Sequence, residues 1–379
     1  MKTYIIGGAT TKFGELWKMS PRMLAKQVID KSLSESGLEA QQIDAVFVGN
    51  MLSGILGNQA NLGSFISEEL GVFRPAFRIE GACASGGLAL HNAINSLKAG
   101  VYKNVLVLGI EKMTDSSQED VMSGLMSAGS ESERQAGATF PGIYALMAQS
   151  YMETYGATQE DLAGVPVKNH YHGSFNPHAQ FRKSITVKDV MNSTKIADPL
   201  KLLDCSPVSD GAAAVLISSD EKYKNHVSIT ASEVDTDTLA LSDRKSFTTL
   251  EAVKRAARKA YEKTKLSASS IQVAEIHDCF SIAEVIAMED LGFSKVGHGA
   301  KDILSGAFTL NKGKLVTNPS GGLKACGHPV GATGIKQIVE INQQLRGLAL
   351  ERQVKNAKIG LTHNVGGSGA VAAIHILEI

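Results

Sequence analysis

GACASGG at residues 81–87 and GHPVGATG at residues 327–334 are the two stretches that decide how this chain folds. The first places Cys83 at the start of a helix, between small residues. The second places His328 on a glycine-rich loop that also opens a helix. A thiol and an imidazole from distant segments are the pair that covalent acyl chemistry needs. We therefore expect the fold to bring them together.

The elements around these stretches occur twice in the same order. A helical pattern over residues 24–36 and a short apolar strand over residues 43–50 precede the first stretch. A helical pattern over residues 251–261 and a strand over residues 271–278 precede the second. A helix and a closing strand follow each glycine-rich turn. The alternation predicts an α/β layered fold built from two duplicated βαβαβ-type halves.

A segment of different character separates the two units. Residues 116–195 are rich in Ser, Gly, Met, His and Gln, and they include a helical stretch from Tyr144 to Tyr155. We interpret them as an inserted loop domain carried on the first unit. The predicted organisation is an N-terminal half of residues 1–115 plus 196–222, the insertion 116–195, and a C-terminal half of residues 223–379.

Composition excludes several classes of function. The 379 residues contain 38 Lys plus Arg and 38 Asp plus Glu, so no net charge attracts the chain to nucleic acid or anionic lipid. No apolar run approaches the roughly 18 residues of a membrane-spanning helix. The four cysteines lack CxxC spacing, which argues against a metal ribbon and favours free thiols. We expect a cytoplasmic protein without a bound metal.

Cys83 has two interpretations. A cysteine in an apolar context is usually an inert core residue. Here Ala82, Ala84 and Gly86 leave room for a ligand beside the sulfur, and the helix directs its positive end at the thiol. That geometry predicts a lowered thiol pKa, and backbone N–H groups that could hold an oxyanion.

Three histidines could assist Cys83 as a nucleophile. His328 either satisfies loop carbonyls or acts as the base for Cys83. His277 belongs to HDCF at residues 277–280, which ends a strand, the usual location of active groups in α/β layers. His363 opens HNVGGSG at residues 363–369, at the end of the last strand of the second repeat. The plainer interpretation of both segments is a strand-terminal turn.

Together these motifs resemble the thiolase family, in its sterol-carrier-protein and archaeal-like branch. The resemblance covers essentially the full length and rests on Cys83-Ala84-Ser85, the Gly-His-Pro at 327–329, HDCF at 277–280 and HNVG at 363–366. It implies a thiolase fold in an αβαβα layered arrangement. It also implies reversible Claisen condensation of two acetyl-CoA to acetoacetyl-CoA and CoA, or thiolytic cleavage of a 3-ketoacyl-CoA.

The resemblance also assigns roles to residues. Cys83 would be the acylated nucleophile, and His328 would accept its proton. Cys279 would be the second thiol, since Asn364 stands where other thiolases place theirs. His277 would position a water or an oxyanion, and His363 would support the site.

Four further residues are expected to bind substrate or its oxyanion: Gly366, whose N–H would act with that of Cys83, Phe280 at the thiol end, Asn364 and Ser320. Coenzyme A thioesters would be substrates covered by the insertion, with no permanently bound cofactor. A homodimer or homotetramer is implied. Possible separate partners are a zinc-ribbon/OB acyl-CoA-binding protein and a hydroxymethylglutaryl-CoA synthase.

Two alternatives remain open at the level of sequence. A ketoacyl-synthase-like enzyme would use Cys83, His328 and His363 and would not need Cys279. A non-catalytic acyl-CoA-binding partner in a complex would lack at least one catalytic group, and none is missing here. We expect Cys326 to be passive and Cys205 to be packed.

Overall fold

The computed structural model describes residues 2–379. The strands are β1 Tyr4–Thr10, β2 Ala45–Gly49, β3 Ala76–Ile79, β4 Asn104–Glu111, β5 Lys195–Ala197, β6 Leu200–Lys201, β7 Gly211–Ser218, β8 Ser228–Thr236, β9 Val273–Glu275, β10 Val316–Thr317, β11 Ile359–Gly366 and β12 Val371–Glu378. The α-helices are α1 Pro21–Ser36, α2 Leu62–Glu69, α3 Ser85–Lys98, α4 Gln118–Met126, α5 Glu131–Gln135, α6 Phe140–Tyr155, α7 Gln159–Gly173, α8 Val187–Asn192, α9 Glu251–Thr264, α10 Ser281–Asp290, α11 Gly299–Leu304, α12 Gly322–Cys326 and α13 Val330–Leu345.

The strand order repeats about the centre of the main sheet. Its ten strands run β10-β9-β11-β12-β8-β1-β7-β4-β2-β3, and β1 and β8 meet at the single pair Tyr4–Ser228. Outward from there, β1, β7, β4, β2, β3 on one side match β8, β12, β11, β9, β10 on the other. In each half the second strand is antiparallel to both its neighbours and the fourth is parallel to the third. The predicted duplication is confirmed.

The two five-stranded halves of this sheet form two layers, and helices form the other three. The helices α3 and α13 contact each other and strands of both halves, whereas α1 lies on β1 and β7, and α9 lies on β8 and β12. The central position explains why every residue of α13 except Gln343 is buried, since a helix covered on all sides has no solvent face. This is the predicted αβαβα arrangement.

The two central helices cross at glycines because nothing larger fits. A Cβ on Gly86 would lie 2.9 Å from the Gly331 carbonyl oxygen, and one on Gly334 would lie 2.4 Å from the Gly87 nitrogen. Such backbone contact is available only to residues without a side chain. The glycine-rich stretches that mark the sequence are therefore the crossing point of the fold.

The outer helix α1 shows how local sequence sets an element's limits. Ser20 accepts a hydrogen bond at its side chain from the Met23 N–H, and Pro21 occupies the first turn, where its missing N–H costs nothing. Gly37 ends the helix at φ 68°, a left-handed conformation that glycine adopts without strain. The predicted helix over 24–36 thus begins one turn earlier.

Between β4 and β7 the chain forms α4 to α8 and the two-stranded β5–β6 sheet. The helix α7 packs against α10, α11 and α12, all of which belong to the second half of the chain. Residues 116–195 therefore lie beside the end of the C-terminal sheet that carries HDCF. Within residues 2–379, no helix combines the length and apolar character needed to cross a membrane.

Candidate active site

Cys83 sits on a tight turn between β3 and α3. The turn Ala82–Ala84 is a single 3₁₀ turn, and Ala82 has a φ of 53°, a conformation that is strained for a residue with a side chain. The Ser85 hydroxyl donates to the Ala82 carbonyl (2.6 Å) and accepts from the Gly81 N–H (3.0 Å). These bonds hold the backbone so that Cys83 stays partly exposed at the helix entrance.

The Cys83 thiol is protonated at rest, contrary to the expected thiolate. Burial raises the pKa of the Cys83 thiol to about 12, and the Glu111 carboxyl adds to the rise. The backbone N–H groups of Gly367 and of Cys83 itself act in the opposite direction. Loss of water around the sulfur outweighs the partial charge of one helix end. The nucleophile therefore needs a base.

His328 is held with a lone pair on Nε2. Its Nδ1 lies 2.7 Å from the Thr333 hydroxyl oxygen, and that hydroxyl donates its single proton to the Pro329 carbonyl (3.1 Å). Thr333 can therefore only accept from Nδ1–H, so Nε2 is the unprotonated nitrogen. Among residues 2–379, His328 Nε2 is buried without a hydrogen-bond partner. Burial lowers the pKa of His328 to about 3, so the ring is neutral and able to accept a proton.

Asn364 sets the opposite tautomer on His277. Its Oδ1 accepts from the Gly87 N–H (3.1 Å), so its Nδ2 donates to the Cys83 carbonyl (2.9 Å) and to His277 Nδ1 (3.3 Å). His277 then carries its proton on Nε2, which has no hydrogen-bond partner in the described range 2–379. The backbone N–H of His277 donates to the ring nitrogen Nδ1 of His363 (3.2 Å). His277 is thus a donor where His328 is an acceptor.

These groups converge. The Cys83 sulfur and one ring nitrogen each of His277 and His328 lie within 4.8 Å of one another. The two rings meet edge to face with centroids 5.1 Å apart. Cys83, Cys279 and His328 all line one apolar pocket of about 130 Å³. Segments separated by more than 240 positions therefore surround one small space.

The pocket walls combine residues of the predicted N-terminal half, the insertion and the C-terminal half. The remaining lining residues are Met113, Met122, Leu125, Phe140, Pro141, Tyr144, Cys205, Ser206, Pro207, Val208, Phe280, Val330 and Gly367. Five of them lie within the range 116–195, so the insertion covers the pocket. Cys205, expected to be packed, is half-buried in this wall and packs against the core, and its backbone bridges to Phe280.

Tyr144 is a site residue that no sequence motif indicated. Its hydroxyl donates to the Gly367 carbonyl (3.0 Å) and lies near the Cys279 side chain, where it acts to lower the pKa of that thiol. Its ring stacks on Phe280 with centroids 4.6 Å apart. Burial, followed by the nearby Cys83, raises the pKa of Cys279, so this thiol is also protonated. The only available sequence signal was an aromatic residue at the start of a helical stretch.

The HDCF segment is anchored by a buried polar network. The Asp278 carboxyl accepts from the Leu323 N–H (2.6 Å), the Lys324 N–H (3.1 Å) and Asn169 Nδ2 (2.6 Å). Burial, then the neighbouring Glu284, raises the pKa of Asp278 to about 7. Bonds on both sides of the loop fix the backbone that presents Cys279.

Three residues predicted to contact the substrate are engaged in contacts within the protein. Ser320 is fully buried and donates to the Glu275 carboxylate (2.7 Å) while accepting from Lys336, so it supports the core and not the pocket. Asn364 has its amide fully engaged, as described above. Gly366 matters sterically, since a Cβ there would lie 2.3 Å from the Gly81 carbonyl oxygen. The backbone N–H that approaches the Cys83 sulfur belongs to Gly367.

Cys326, despite its position beside Gly327, is buried at 2% exposure in a cluster with Phe13, Ala179 and Ala332. Burial raises the pKa of its thiol to about 11. Its sulfur is absent from the lining of the Cys83 pocket among the described residues. A packed, unreactive thiol fits this environment.

A duplicated α/β fold with two thiols and an acceptor imidazole in one apolar pocket defines a covalent acyl-transfer site. Comparison with known proteins agrees. Residues 3–221 match the family model "Thiolase, N-terminal domain", and residues 234–379 match "Thiolase C-terminal domain-like". The chain belongs to the thiolase family.

Individual relatives refine the assignment. The chain is 45% identical to an acetyl-CoA acetyltransferase of Methanothermobacter thermautotrophicus, over 99% of this chain and 98% of that protein. It is 34% identical to sterol carrier protein 2 of Bos taurus, over 98% of this chain and 71% of that protein. A solved structure described as "Ltp2-ChsH2(DUF35) aldolase" has a TM-score of 0.86 at 23% identity, covering 100% of this chain and 97% of that chain; at this identity it supports the fold alone.

Proposed function

We propose that this thiolase-family acyltransferase interconverts acetoacetyl-CoA plus CoA and two molecules of acetyl-CoA through an acyl-Cys83 intermediate. One observation carries the proposal: Cys83, Cys279 and the lone pair of His328 share a single pocket. Thioester exchange needs one nucleophile and one base, whereas carbon–carbon bond chemistry needs a further acid/base at the α-carbon. The pocket contains one group for each task.

In the cleavage direction, His328 Nε2 takes the Cys83 proton as the sulfur attacks the keto carbonyl of acetoacetyl-CoA. The backbone N–H groups of Cys83 and Gly367, which approach the sulfur, are placed to hold the resulting oxyanion. A nucleophile with a raised pKa requires this coupled proton transfer, because free thiolate is scarce at neutral pH. The apolar walls strengthen each of these interactions by excluding water.

Collapse of the tetrahedral intermediate breaks the carbon–carbon bond and releases the enolate of acetyl-CoA. The Cys279 thiol supplies the proton to the α-carbon, and protonated His328 then returns its proton to Cys279. The neutral His277 ring donates a hydrogen bond from its Nε2–H to a forming oxyanion and does not itself gain a proton. Every group ends neutral, as it began.

The second half-reaction regenerates the enzyme. His328 takes the proton of a CoA thiol, whose sulfur attacks the acetyl–Cys83 thioester, and returns it to the departing Cys83 sulfur. The same steps in reverse give condensation. A pocket of about 130 Å³ is small beside the roughly 300–1,000 Å³ of typical ligand sites, which supports short acyl groups at the reacting end.

The test compares three cysteine-to-alanine variants in the cleavage of acetoacetyl-CoA by CoA. Cys83→Ala should abolish the reaction. Cys279→Ala should lose it as well, yet retain exchange of labelled CoA into acetyl-CoA, which needs no α-proton transfer. Cys326→Ala is the matched control and should keep wild-type activity. Cleavage that survives in Cys279→Ala would refute the two-thiol mechanism and favour a Cys-His-His condensing enzyme.

We also propose a homodimer paired along β3. This strand ends the sheet, and it exposes Phe77 at 42% with Phe73 nearby at 89%. Unpaired strand edges with exposed aromatics favour association. Analytical ultracentrifugation of wild type and Phe77→Asp tests this.

A separate acyl-CoA-binding partner is a further proposal, motivated by the fold neighbour Ltp2-ChsH2(DUF35), whose name joins two components.

A further inference from the structure

The reacting groups also have the chemistry of a metal site. The Cys83 sulfur and one nitrogen each of His277 and His328 lie within 4.8 Å of one another. Both imidazoles are more than nine-tenths buried, and the Nε2 atoms of both lack a hydrogen-bond partner within the part of the chain that the structure describes. We infer that these three side chains bind Zn²⁺ reversibly, and that zinc and the acyl group exclude each other from the site.

The donor set selects the type of metal. One sulfur and two imidazoles, without a carboxylate, suit zinc and disfavour magnesium or calcium, which require oxygen ligands. Three protein ligands leave a fourth tetrahedral position facing the pocket for water or a substrate thiol. The pocket lining also contains the thiols of Cys205 and Cys279 and the Ser206 and Tyr144 hydroxyls, but no carboxylate, so it offers no competing oxygen cage.

His328 is already arranged as a zinc ligand. Its Nδ1–H is bound to the Thr333 hydroxyl at 2.7 Å, which fixes the ring and leaves the Nε2 lone pair free. Histidine ligands of zinc usually have such a partner on the second nitrogen.

His277 makes the site exchangeable. Coordination through Nε2 requires its proton to move to Nδ1, which breaks the 3.3 Å contact with Asn364 Nδ2. Binding also releases the Cys83 thiol proton to solvent, so affinity rises with pH. In balance, Zn²⁺ and the neutral site give a zinc–thiolate complex and one free proton. These costs distinguish it from a permanent structural zinc site.

The consequence is reversible inhibition. The Cys83 sulfur cannot hold zinc and an acyl group at once, so saturating acetyl-CoA should protect against the metal. Zinc should in turn block both acylation and thiolysis. The exclusion of the acyl group rests on the proposed acyl-Cys83 intermediate, whereas metal binding itself is measured without turnover.

Cobalt(II) chloride is the probe. Added to the full-length protein, it should give a sulfur-to-cobalt charge-transfer band and tetrahedral visible bands, both removed by zinc chloride and by chelator. Cys83→Ser should lose the charge-transfer band, and His277→Ala and His328→Ala should each weaken binding at least tenfold. Cys279→Ala and Cys326→Ala are the matched thiol controls and should retain the bands.

A second measurement needs no variant. Wild-type protein acetylated with acetyl-CoA should bind cobalt at least tenfold more weakly than untreated protein, and free CoA should restore the binding. Cobalt bands that are equal in Cys83→Ser and wild type, or that persist in protein whose Cys83 is shown by mass spectrometry to be acetylated, would overturn the inference. Absence of any band at cobalt concentrations well above the protein would overturn it too, whatever the catalytic assays show.

Discussion

The first turns of α3 and α13 are equivalent by the duplication yet carry opposite chemistry. One presents Cys83, partly exposed and braced by Ser85. The other presents His328, buried and oriented by Thr333. Because the helices cross at glycines, the two helix starts face each other across the axis that relates the halves. A duplicated fold can thus build one asymmetric site by diverging at a single meeting point.

The largest expected effect comes from filling the crossing itself. Gly334→Ala places a Cβ 2.3 Å from Asn364 Oδ1 and 2.4 Å from the Gly87 nitrogen, so the two helices must separate. We expect a loss of at least about 3 kcal/mol in the free energy of unfolding, measured by chemical denaturation. Gly142→Ala is the control, since its Cβ would meet only Thr139 Oγ1 at 3.4 Å. Equal stabilities would refute the close crossing.

Acid should unfold the protein through its buried histidines, most of which lie in the C-terminal half. Burial lowers the pKa of the six buried histidines below the ordinary 6.5, whereas burial raises the pKa of three carboxyls to about 7 or 8. The histidines are His170, His172, His277, His328, His363 and His375. The carboxyls are Glu111, Asp278 and Asp290.

As the pH falls, the histidines and the carboxyls change the free energy of unfolding in opposite directions. Below pH 6.5 the unfolded chain binds protons that the six buried rings refuse, so stability falls as pH falls toward about 4. The three carboxyls bind protons in the folded state first and offset half of this. The net result is a loss of stability as the pH falls below 6.5. Denaturation midpoints between pH 6.5 and 5 measure it, and a flat profile would contradict the buried neutral rings.

A smaller effect tests the orientation of His328. Thr333→Val removes the acceptor of the Nδ1–H bond, which frees the ring to adopt the other tautomer. We expect kcat for acetoacetyl-CoA cleavage to fall roughly 100-fold with little change in KM. Thr333→Ser keeps the hydroxyl and should restore activity to within a few-fold. A serine variant as impaired as valine would point to lost packing instead.

The smallest effect distinguishes the two thiols. Tyr144→Phe removes the hydroxyl near Cys279 and leaves the Cys83 turn intact. We expect about a 5- to 10-fold slower exchange of the acetyl-CoA α-protons with solvent deuterium, the size of one hydrogen bond. Exchange of labelled CoA into acetyl-CoA should stay near the wild-type rate. Equal slowing of both exchanges would show that Tyr144 serves the whole pocket.

Much of the framework was predictable because its signals are local. Short apolar strands, helical periodicity and capping residues such as Ser20 and Gly37 act within a few positions, so the duplicated α/β order follows from the chain alone. The glycine-rich turns, with Cys83 and His328 beside them, could likewise be identified. Tyr144 could not, because its importance arises from Gly367, more than 200 positions away.

The amino-acid sequence by itself determined the repeated elements, the reactive side chains and their places at the ends of strands and helices. Tertiary structure alone decided where the protons reside. It set opposite tautomers on His277 and His328, raised the Cys83 pKa where the helix end predicted a fall, and withdrew Ser320 from the pocket. The physical reason is that desolvation and hydrogen-bond partners depend on distant segments packed together, which periodicity along the chain does not encode.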